Sequence, residues 1–226
     1  MNKIYKIYQQ LFDTYGPQGW WPILDVKGEA IYHLNDYSYP RDSQESFEVC
    51  IGSILTQNTT FTSVVTSLRN LQGLDALSCK GIQSLDSDIL KEAIRPSGYF
   101  NQKAGYLMNF TRFYEELKGD IPAREALLAI KGIGEETADS ILLYGYNQLE
   151  FKIDAYTKRV LMHLGFVDDK AKYRDMKELM QKNLLELGLD QKTLLMVYQE
   201  FHALIVCHAK QFYSKKPYGE GCFLHK

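Results

Sequence analysis

The chain has 226 residues, of which 45% are hydrophobic and 24% are charged, so it can bury a sizeable core and is not globally disordered. Its formal net charge of −2 excludes a protein that binds nucleic acid through overall positive charge, so any such surface must be local. No apolar run can span a bilayer, residues 1–5 do not resemble a signal peptide, and the four cysteines form no disulfide framework. We therefore expect a cytoplasmic monomer with reduced thiols and no membrane contact.

Helical periodicity dominates the chain from its start. Apolar residues at Ile4, Ile7 and Leu11 predict an amphipathic first helix, and Asp42 with Glu45 predicts a capping box before a second. A third helix is predicted after the polar segment 56–60, and further helices near 87–95, 101–118, 123–130, 137–146, 155–164, 172–187 and 192–213. The aromatic-rich segment 17–41 is predicted to be a loop, and the short alternating stretch 149–153 an extended connector. The sequence therefore predicts an all-α fold.

A glycine-rich turn, Lys131-Gly132-Ile133-Gly134, joins two of the predicted helices. The glycines permit positive φ and leave no side chain between the backbone and an approaching ligand. The turn opens onto a helix amino terminus, whose unpaired N–H groups can bind an anion such as a phosphate. The alternative is a plain connection between two core helices. The candidate phosphate-binding residues are Lys131, Gly132, Gly134 and Thr137.

Asp154 follows the hydrophobic connector and begins the next predicted helix. Aspartate is a preferred N-cap residue, so a purely structural role is one interpretation. A carboxylate at a helix amino terminus also stays ionised at neutral pH, as a group that stabilises positive charge or activates water must.

The hairpin, the apolar connector and the aspartate in Ile-Asp-Ala-Tyr together resemble the helix-hairpin-helix DNA glycosylase superfamily, typified by endonuclease III. Residues 53–59 and 98–104 are similar to two further motifs of that family. The resemblance implies two helical lobes with a DNA-binding cleft between them. Residues 40–147 would form a six-helix barrel with the helix-hairpin-helix at about 123–146, and residues 1–39 with 148–226 a terminal lobe. By this mapping Asp154 is the catalytic carboxylate.

Two departures from the family pattern narrow the expected activity. Bifunctional members carry a lysine where this chain has Glu136, so we expect hydrolysis by water without AP-lyase activity. Many relatives bind an iron–sulfur cluster through four cysteines near the carboxyl terminus, whereas this region contains only Cys207 and Cys222. We therefore expect no cluster. A zinc site with the nearby histidines matches no common structural-zinc spacing, so no metal is expected; these histidines are His202, His208 and His225.

The Trp-Trp-Pro segment and Leu-Thr-Gln-Asn-Thr before an aromatic resemble the bacterial 3-methyladenine DNA glycosylase branch. The resemblance implies excision of alkylated purines from double-stranded DNA in base excision repair, at the nucleoid of the cytoplasm. The implied base-pocket residues are Trp20, Trp21, Phe61 and Lys210, and the implied duplex wedge is Gln57 and Asn58. Each of these residues also has a simpler interpretation. The tryptophans could be core residues, Lys210 could be a solvated helix residue, and Gln57 and Asn58 could cap a helix end.

Two other functions are compatible with parts of the pattern. One is an endonuclease III-like glycosylase and AP lyase that acts on oxidised pyrimidines, which the glutamate at position 136 disfavours. The other is a non-catalytic helix-hairpin-helix module that only binds the DNA backbone, which leaves Asp154 unexplained.

Overall fold

The computed structural model describes residues 2–224, and helices make up almost all of their regular secondary structure. They form two units, which we call the terminal unit (residues 2–20, 34–37 and 148–224) and the central unit (residues 21–33 and 38–147). No helix among the described residues is long and apolar enough to cross a membrane.

The terminal unit is built around one long helix. Apolar residues of the first helix, including Ile4, Ile7 and Leu11, are buried, and Tyr8 packs edge-on against Phe201 with ring centroids 5.5 Å apart. This contact joins the first helix to the last one, which carries buried side chains along most of its length. The helices of this unit are α1 (Lys3–Tyr15), α9 (Ala155–His163), α10 (Tyr173–Leu185) and α11 (Gln191–Phe212).

The central unit packs its helices around a helix that is buried on all sides. Its elements are β1 (Ile23–Leu24), β2 (Ala30–Ile31), α2 (Ser43–Leu55), α3 (Phe61–Gly73), α4 (Cys79–Ser84), α5 (Ser87–Ile94), a 3-10 turn (Arg95–Ser97), α6 (Phe100–Leu117), α7 (Arg124–Leu128), α8 (Glu135–Ser140) and a π-helical turn (Ile141–Gly145). Every residue of α2 from Glu45 to its end at Leu55 is buried except Ser46, so α2 forms the centre of this core.

The all-α prediction is confirmed, with two local differences. The predicted loop 17–41 contains a two-stranded antiparallel hairpin, in which Ile23 pairs with Ile31. The hairpin turn is held from outside, because Arg69 on α3 donates from Nε to the Gly28 carbonyl at 2.9 Å. The short helix α4 was not predicted because its six residues are too few to show helical periodicity.

Residues 21–33 belong to the central unit, whereas the expected boundary placed them in the terminal lobe. The reason is their contacts: the Leu24 amide donates to Glu48 Oε1 on α2 at 2.7 Å, and Trp21 lies against Gly52 of the same helix. Residues 34–37 belong to the terminal unit, where the Tyr37 hydroxyl is hydrogen-bonded to the Glu200 carboxylate on α11.

Candidate active site

The connector before Asp154 is held in place by apolar side chains that pack against α11. Phe151 and Ile153 are buried, and the Phe151 ring packs edge-on against Tyr198 with centroids 5.4 Å apart. The Ile153 amide donates to the Tyr173 hydroxyl at 3.3 Å. These contacts bring the end of the connector, where Asp154 lies, beside the long helix.

Asp154 is both the N-cap of α9 and the neighbour of a buried histidine. Its Oδ1 accepts two hydrogen bonds from Thr157, from the amide at 2.7 Å and from the hydroxyl at 2.9 Å. Its Oδ2 lies 3.4 Å from Nε2 of His202 on α11, where the side chains of Asp154 and His202 are 13% and 3% exposed. The N-cap interpretation and the predicted site therefore coincide at one carboxylate.

The surroundings of Asp154 favour its negative form. Burial by itself raises the pKa of a carboxyl group. At Asp154 this effect is outweighed by the adjacent His202, the charge of Lys152 and the Thr157 amide, which hold its pKa well below the usual range. A partly accessible carboxylate that is ionised at neutral pH can stabilise a cationic sugar and accept a proton from water.

His202 in this role was not predicted from the sequence, where it was considered only as a zinc ligand. Asp154 and His202 are far apart in the chain and share no motif. They meet because α9 and α11 pack together, as do the connector and α11. The sequence signal that could have indicated such a role is the presence of polar residues within the otherwise apolar helix α11. The structure buries four of them: Gln199, Glu200, His202 and His208.

The loop before Trp20 is held by another buried group of α11. The Glu200 carboxylate accepts hydrogen bonds from the amides of Gln18 at 2.8 Å and Gly19 at 3.3 Å. Burial raises the pKa of Glu200, and the two amides and the Tyr37 hydroxyl counteract that shift. The backbone beside the predicted pocket residue Trp20 is thereby fixed within the terminal unit.

Lys210 is exposed near the end of α11. It lies about two turns, roughly 12 Å along the helix axis, beyond His202. Together with Lys215 and Lys216 it lines an open surface depression of about 530 Å³. Its exposure agrees with the interpretation as a solvated helix residue, and its predicted role at the base pocket stays a prediction.

In the central unit the two hairpin glycines have different conformations. Gly132 has φ +101°, and a Cβ built on it would lie 2.2 Å from the Tyr106 ring. Gly134 is the N-cap of α8 with φ −94° and ψ 179°, an extended conformation open to any residue. Positive φ, which glycine permits at both positions, is adopted at Gly132 and not at Gly134. Within residues 2–224 no atom lies within 4 Å of a Cβ built on Gly134, so the backbone there is open to approach.

Of the two predicted wedge residues, one is used inside the fold. The side-chain amide of Gln57 donates to the Gly132 carbonyl at 2.9 Å and to the Thr137 hydroxyl at 3.1 Å. Asn58 is exposed and has φ +53°. This placement favours Asn58 as the wedge. The hydrogen bond from Gln57 also engages the buried hydroxyl of Thr137, a residue that was predicted to contact the DNA backbone.

The wedge segment is anchored by a lysine from the motif at 98–104. Lys103 is 1% exposed, and its ammonium group donates to the Leu55 carbonyl at 2.8 Å and the Ser97 carbonyl at 2.7 Å. Burial lowers the pKa of Lys103 to about 8. Lys103 thus closes the end of α2 immediately before the polar segment 56–60.

The two helices of the hairpin are joined by a buried ion pair. Arg124 on α7 contacts both carboxylate oxygens of Asp139 on α8, at 2.7 and 3.2 Å, and Asp139 is fully buried. Glu135 lies further from Arg124, at 3.6 Å. Glu136 is exposed in the first turn of α8, and by the sequence resemblance this is where bifunctional members of the family carry a lysine. Lys131 is exposed in the turn before α8.

Trp21 is a core residue of the central unit. It is 5% exposed, and it packs edge-on against Phe61 with ring centroids 5.5 Å apart. It also contacts the tilted ring of Tyr144, with centroids 5.7 Å apart. Phe61 is half-buried at the start of α3. The structure brings these two predicted pocket residues together, and burial of Trp21 agrees with the core interpretation of its role.

Only two of the four cysteines, Cys207 and Cys222, lie near the carboxyl terminus, which is too few for a cluster held there by four thiolates. The Cys222 sulfur lies 3.1 Å from His208 Nε2, and it accepts hydrogen bonds from the Tyr213 hydroxyl at 3.2 Å and the Leu224 amide at 3.4 Å. Within residues 2–224 no three His, Cys, Asp or Glu side chains are grouped to hold a metal ion, and His225 lies outside the described residues. We derive no chemical step through a metal or a cluster.

Comparison with known proteins identifies the class to which these sites belong. Residues 51–186, more than half of the chain, match the HhH-GPD superfamily of base excision DNA repair proteins. The chain therefore belongs to the HhH-GPD superfamily, and it is a DNA glycosylase of base excision repair.

Individual relatives span nearly the whole chain. The protein MJ1434 of Methanocaldococcus jannaschii, provisionally named a DNA repair glycosylase, is 40% identical over 97% of this chain and 92% of its own length. Endonuclease III of Sulfolobus acidocaldarius is 30% identical over 79% of each chain.

Solved structures show the same fold. The H. pylori 3-methyladenine DNA glycosylase MagIII bound to 1,N6-ethenoadenine has a TM-score of 0.70 at 27% identity, covering 92% of this chain and 98% of that one. A non-covalent endonuclease III–DNA complex has a TM-score of 0.69 over 95% of this chain and 87% of that one, but at 15% identity it shares the fold alone.

Proposed function

We propose that this protein is a monofunctional DNA glycosylase that hydrolyses the N-glycosidic bond of alkylated purines, such as 3-methyladenine, in double-stranded DNA. The observation that carries the proposal is the placement of the Asp154 carboxylate, whose Oδ1 is held by Thr157 while Oδ2 faces His202. Departure of the base leaves positive charge on the sugar, and a fixed carboxylate stabilises that charge and helps to activate water.

Hydrolysis without strand cleavage is supported by the residue at the start of α8. An AP lyase needs an amine that attacks the sugar and forms a Schiff base. The exposed Glu136 occupies the position where the bifunctional relatives carry lysine. Lys103, in the motif at 98–104, is buried and donates to two backbone carbonyls, so it is not available as that nucleophile.

An alkylated purine as substrate is supported by the similarity to the H. pylori 3-methyladenine glycosylase and by the aromatic residues. An N3-alkylated purine is positively charged, and aromatic faces attract a cation with roughly 0.5–2 kcal/mol each. Such a base is also a good leaving group, so one carboxylate without a strong general acid is sufficient. Trp20 and Phe61, both half-buried, are the proposed aromatic contacts, and Lys210 is the proposed polar one.

Binding of the duplex is assigned to local backbone contacts, because the net charge of the chain is −2. The exposed backbone at Gly134 and the exposed Lys131 would hold a phosphate, and the exposed Asn58 would enter the space left by the flipped base. Phosphate contacts of this kind position a protein on DNA without reading its sequence. We propose that a single copy of the chain is sufficient, acting on DNA in the cytoplasm.

The proposal is tested by incubating purified protein with alkylated duplex DNA and separating the released bases by chromatography. We expect free 3-methyladenine, and strands that stay uncut until alkali is added. Release of no base from alkylated DNA would contradict the substrate assignment, and the same assay on oxidised and deaminated DNA would then identify the substrate.

The endonuclease III-like activity is the second candidate, because a relative of that name is 30% identical over 79% of the chain. Unlike the monofunctional enzyme, a lyase forms a covalent intermediate with DNA. Borohydride reduces the Schiff base of a lyase and traps protein on DNA, so a trapped adduct would establish the lyase and overturn the monofunctional proposal.

A further inference from the structure

His202 is placed to act on the chemistry through Asp154. Among the groups that set the charge of Asp154, the Thr157 amide and hydroxyl both lie on Oδ1, whereas His202 Nε2 faces Oδ2 at 3.4 Å. The charge of Lys152, two residues earlier in the connector, also lowers the pKa of Asp154. The two oxygens of the carboxylate are therefore held by different elements, Oδ1 by its own helix and Oδ2 by α11.

This division matters because a carboxylate held at one oxygen still turns about its last side-chain bond. That torsion is broad for aspartate, so one anchored oxygen does not define where the other lone pairs point. A second donor from a different element fixes the plane of the group. His202 is suited to this because its ring is 3% exposed and α11 is anchored to the connector by the Phe151–Tyr198 contact.

We propose that His202 is a positioning residue that orients Oδ2 of Asp154 toward the reacting sugar and keeps this carboxylate in its charged form. The proposal rests on the proposed function for the role of Asp154, but the pairing itself is a property of the chain. His202 transfers no proton in this account, and no bond to it forms or breaks.

The test compares two substitutions at the same position. His202→Gln keeps an N–H donor close to the place of Nε2, whereas His202→Leu removes the donor and retains an apolar side chain. We expect His202→Leu to lower the single-turnover rate of base release by about tenfold, with unchanged affinity for undamaged duplex, and His202→Gln to restore most of the rate.

The pH profile distinguishes positioning from a general loss of structure. The groups that face Asp154 are His202 from α11, Lys152 from the connector and Thr157 from α9. Because His202 favours the charged carboxylate, His202→Leu should raise the pKa of Asp154 and move the acid limb of the rate profile to higher pH. Equal impairment of both variants, or a rate loss with an unmoved acid limb, would overturn the proposal.

A double-mutant cycle on thermal unfolding tests the pairing without any substrate. His202→Leu leaves the Asp154 carboxylate without its α11 partner, so it should lower the melting temperature more in the wild-type background than in Asp154→Asn. Equal shifts in both backgrounds would contradict the pairing. If the cycle shows coupling but wild-type protein releases no alkylated base, the proposed function fails while the Asp154–His202 pairing stands.

Discussion

Gly132 and Gly134 lie two residues apart in one turn, and their surroundings differ. At Gly132 a side chain is excluded from within, because φ is +101° and the Tyr106 ring fills the space of a Cβ. At Gly134 the conformation suits any residue and the space is open, so only an external ligand can require a glycine. One position is therefore constrained by folding, and the other is free for the DNA contact that we propose.

This difference predicts opposite effects of the same substitution. Gly134→Val should raise the Kd for damaged and undamaged duplexes alike by about tenfold, as loss of one hydrogen bond to a charged group would, and should lower the melting temperature only by the small amount expected of valine at the N-cap of a short helix. Gly132→Val is the matched control, and it should lower the melting temperature because the valine meets the Tyr106 ring. Fluorescence anisotropy with labelled duplexes measures the affinities. Unaltered DNA affinity of folded Gly134→Val would contradict the role of this turn in binding.

At the residue scale the sequence predicted what depends on near neighbours. Asp154 as an N-cap follows from residues within one helical turn, and its contact with the Thr157 amide needs no tertiary structure. The Asp154–His202 contact depends on packing between the connector and α11, which no local pattern encodes. The same limit applies to Gln57, whose amide binds the hairpin rather than solvent.

At the element scale the hairpin is held together by the buried pair Arg124–Asp139. Asp139 is fully buried and receives two hydrogen bonds from Arg124, whereas the contact of Arg124 with the half-exposed Glu135 is longer, at 3.6 Å. Removing one partner of a buried pair leaves an uncompensated charge, which costs far more than breaking a surface contact. This pair therefore fixes α7 on α8 from inside.

Asp139→Asn should reduce the free energy of unfolding by about 3 kcal/mol, because Arg124 loses its buried carboxylate. Glu135→Gln on the same helix is the control and should cost less than about 1 kcal/mol. Urea denaturation followed by circular dichroism measures both. Similar losses for the two variants would show that the buried pair does not stabilise the hairpin as described.

Long periodic helices were predictable, while elements stabilised by other parts of the chain were not. Helices such as α6 and α11 carry enough apolar residues for their period to be read from the sequence. The β1–β2 hairpin has two residues in each strand, and Arg69 and Gln72 from α3 hold its turn. Its stability therefore comes from contacts that sequence periodicity does not show.

At the scale of the whole molecule the fold and the charge are consistent with a protein that binds DNA locally. A net charge of −2 is compatible with this because helix amino termini and backbone amides bind phosphate without adding positive charge. The family was predictable because three motifs lie in the expected order along the chain. The arrangement of the base pocket was not, since its shape depends on side chains from many separated positions.

The most direct test of the account is single-turnover base release by Asp154→Asn on alkylated duplex DNA, beside wild-type protein and with the affinity for the same DNA measured in parallel. Asparagine keeps the size and an acceptor for the Thr157 amide but removes the negative charge. We expect base release to fall below detection while the Kd stays within about twofold of wild type. Base release by Asp154→Asn at the wild-type rate would show that this carboxylate does not drive the reaction.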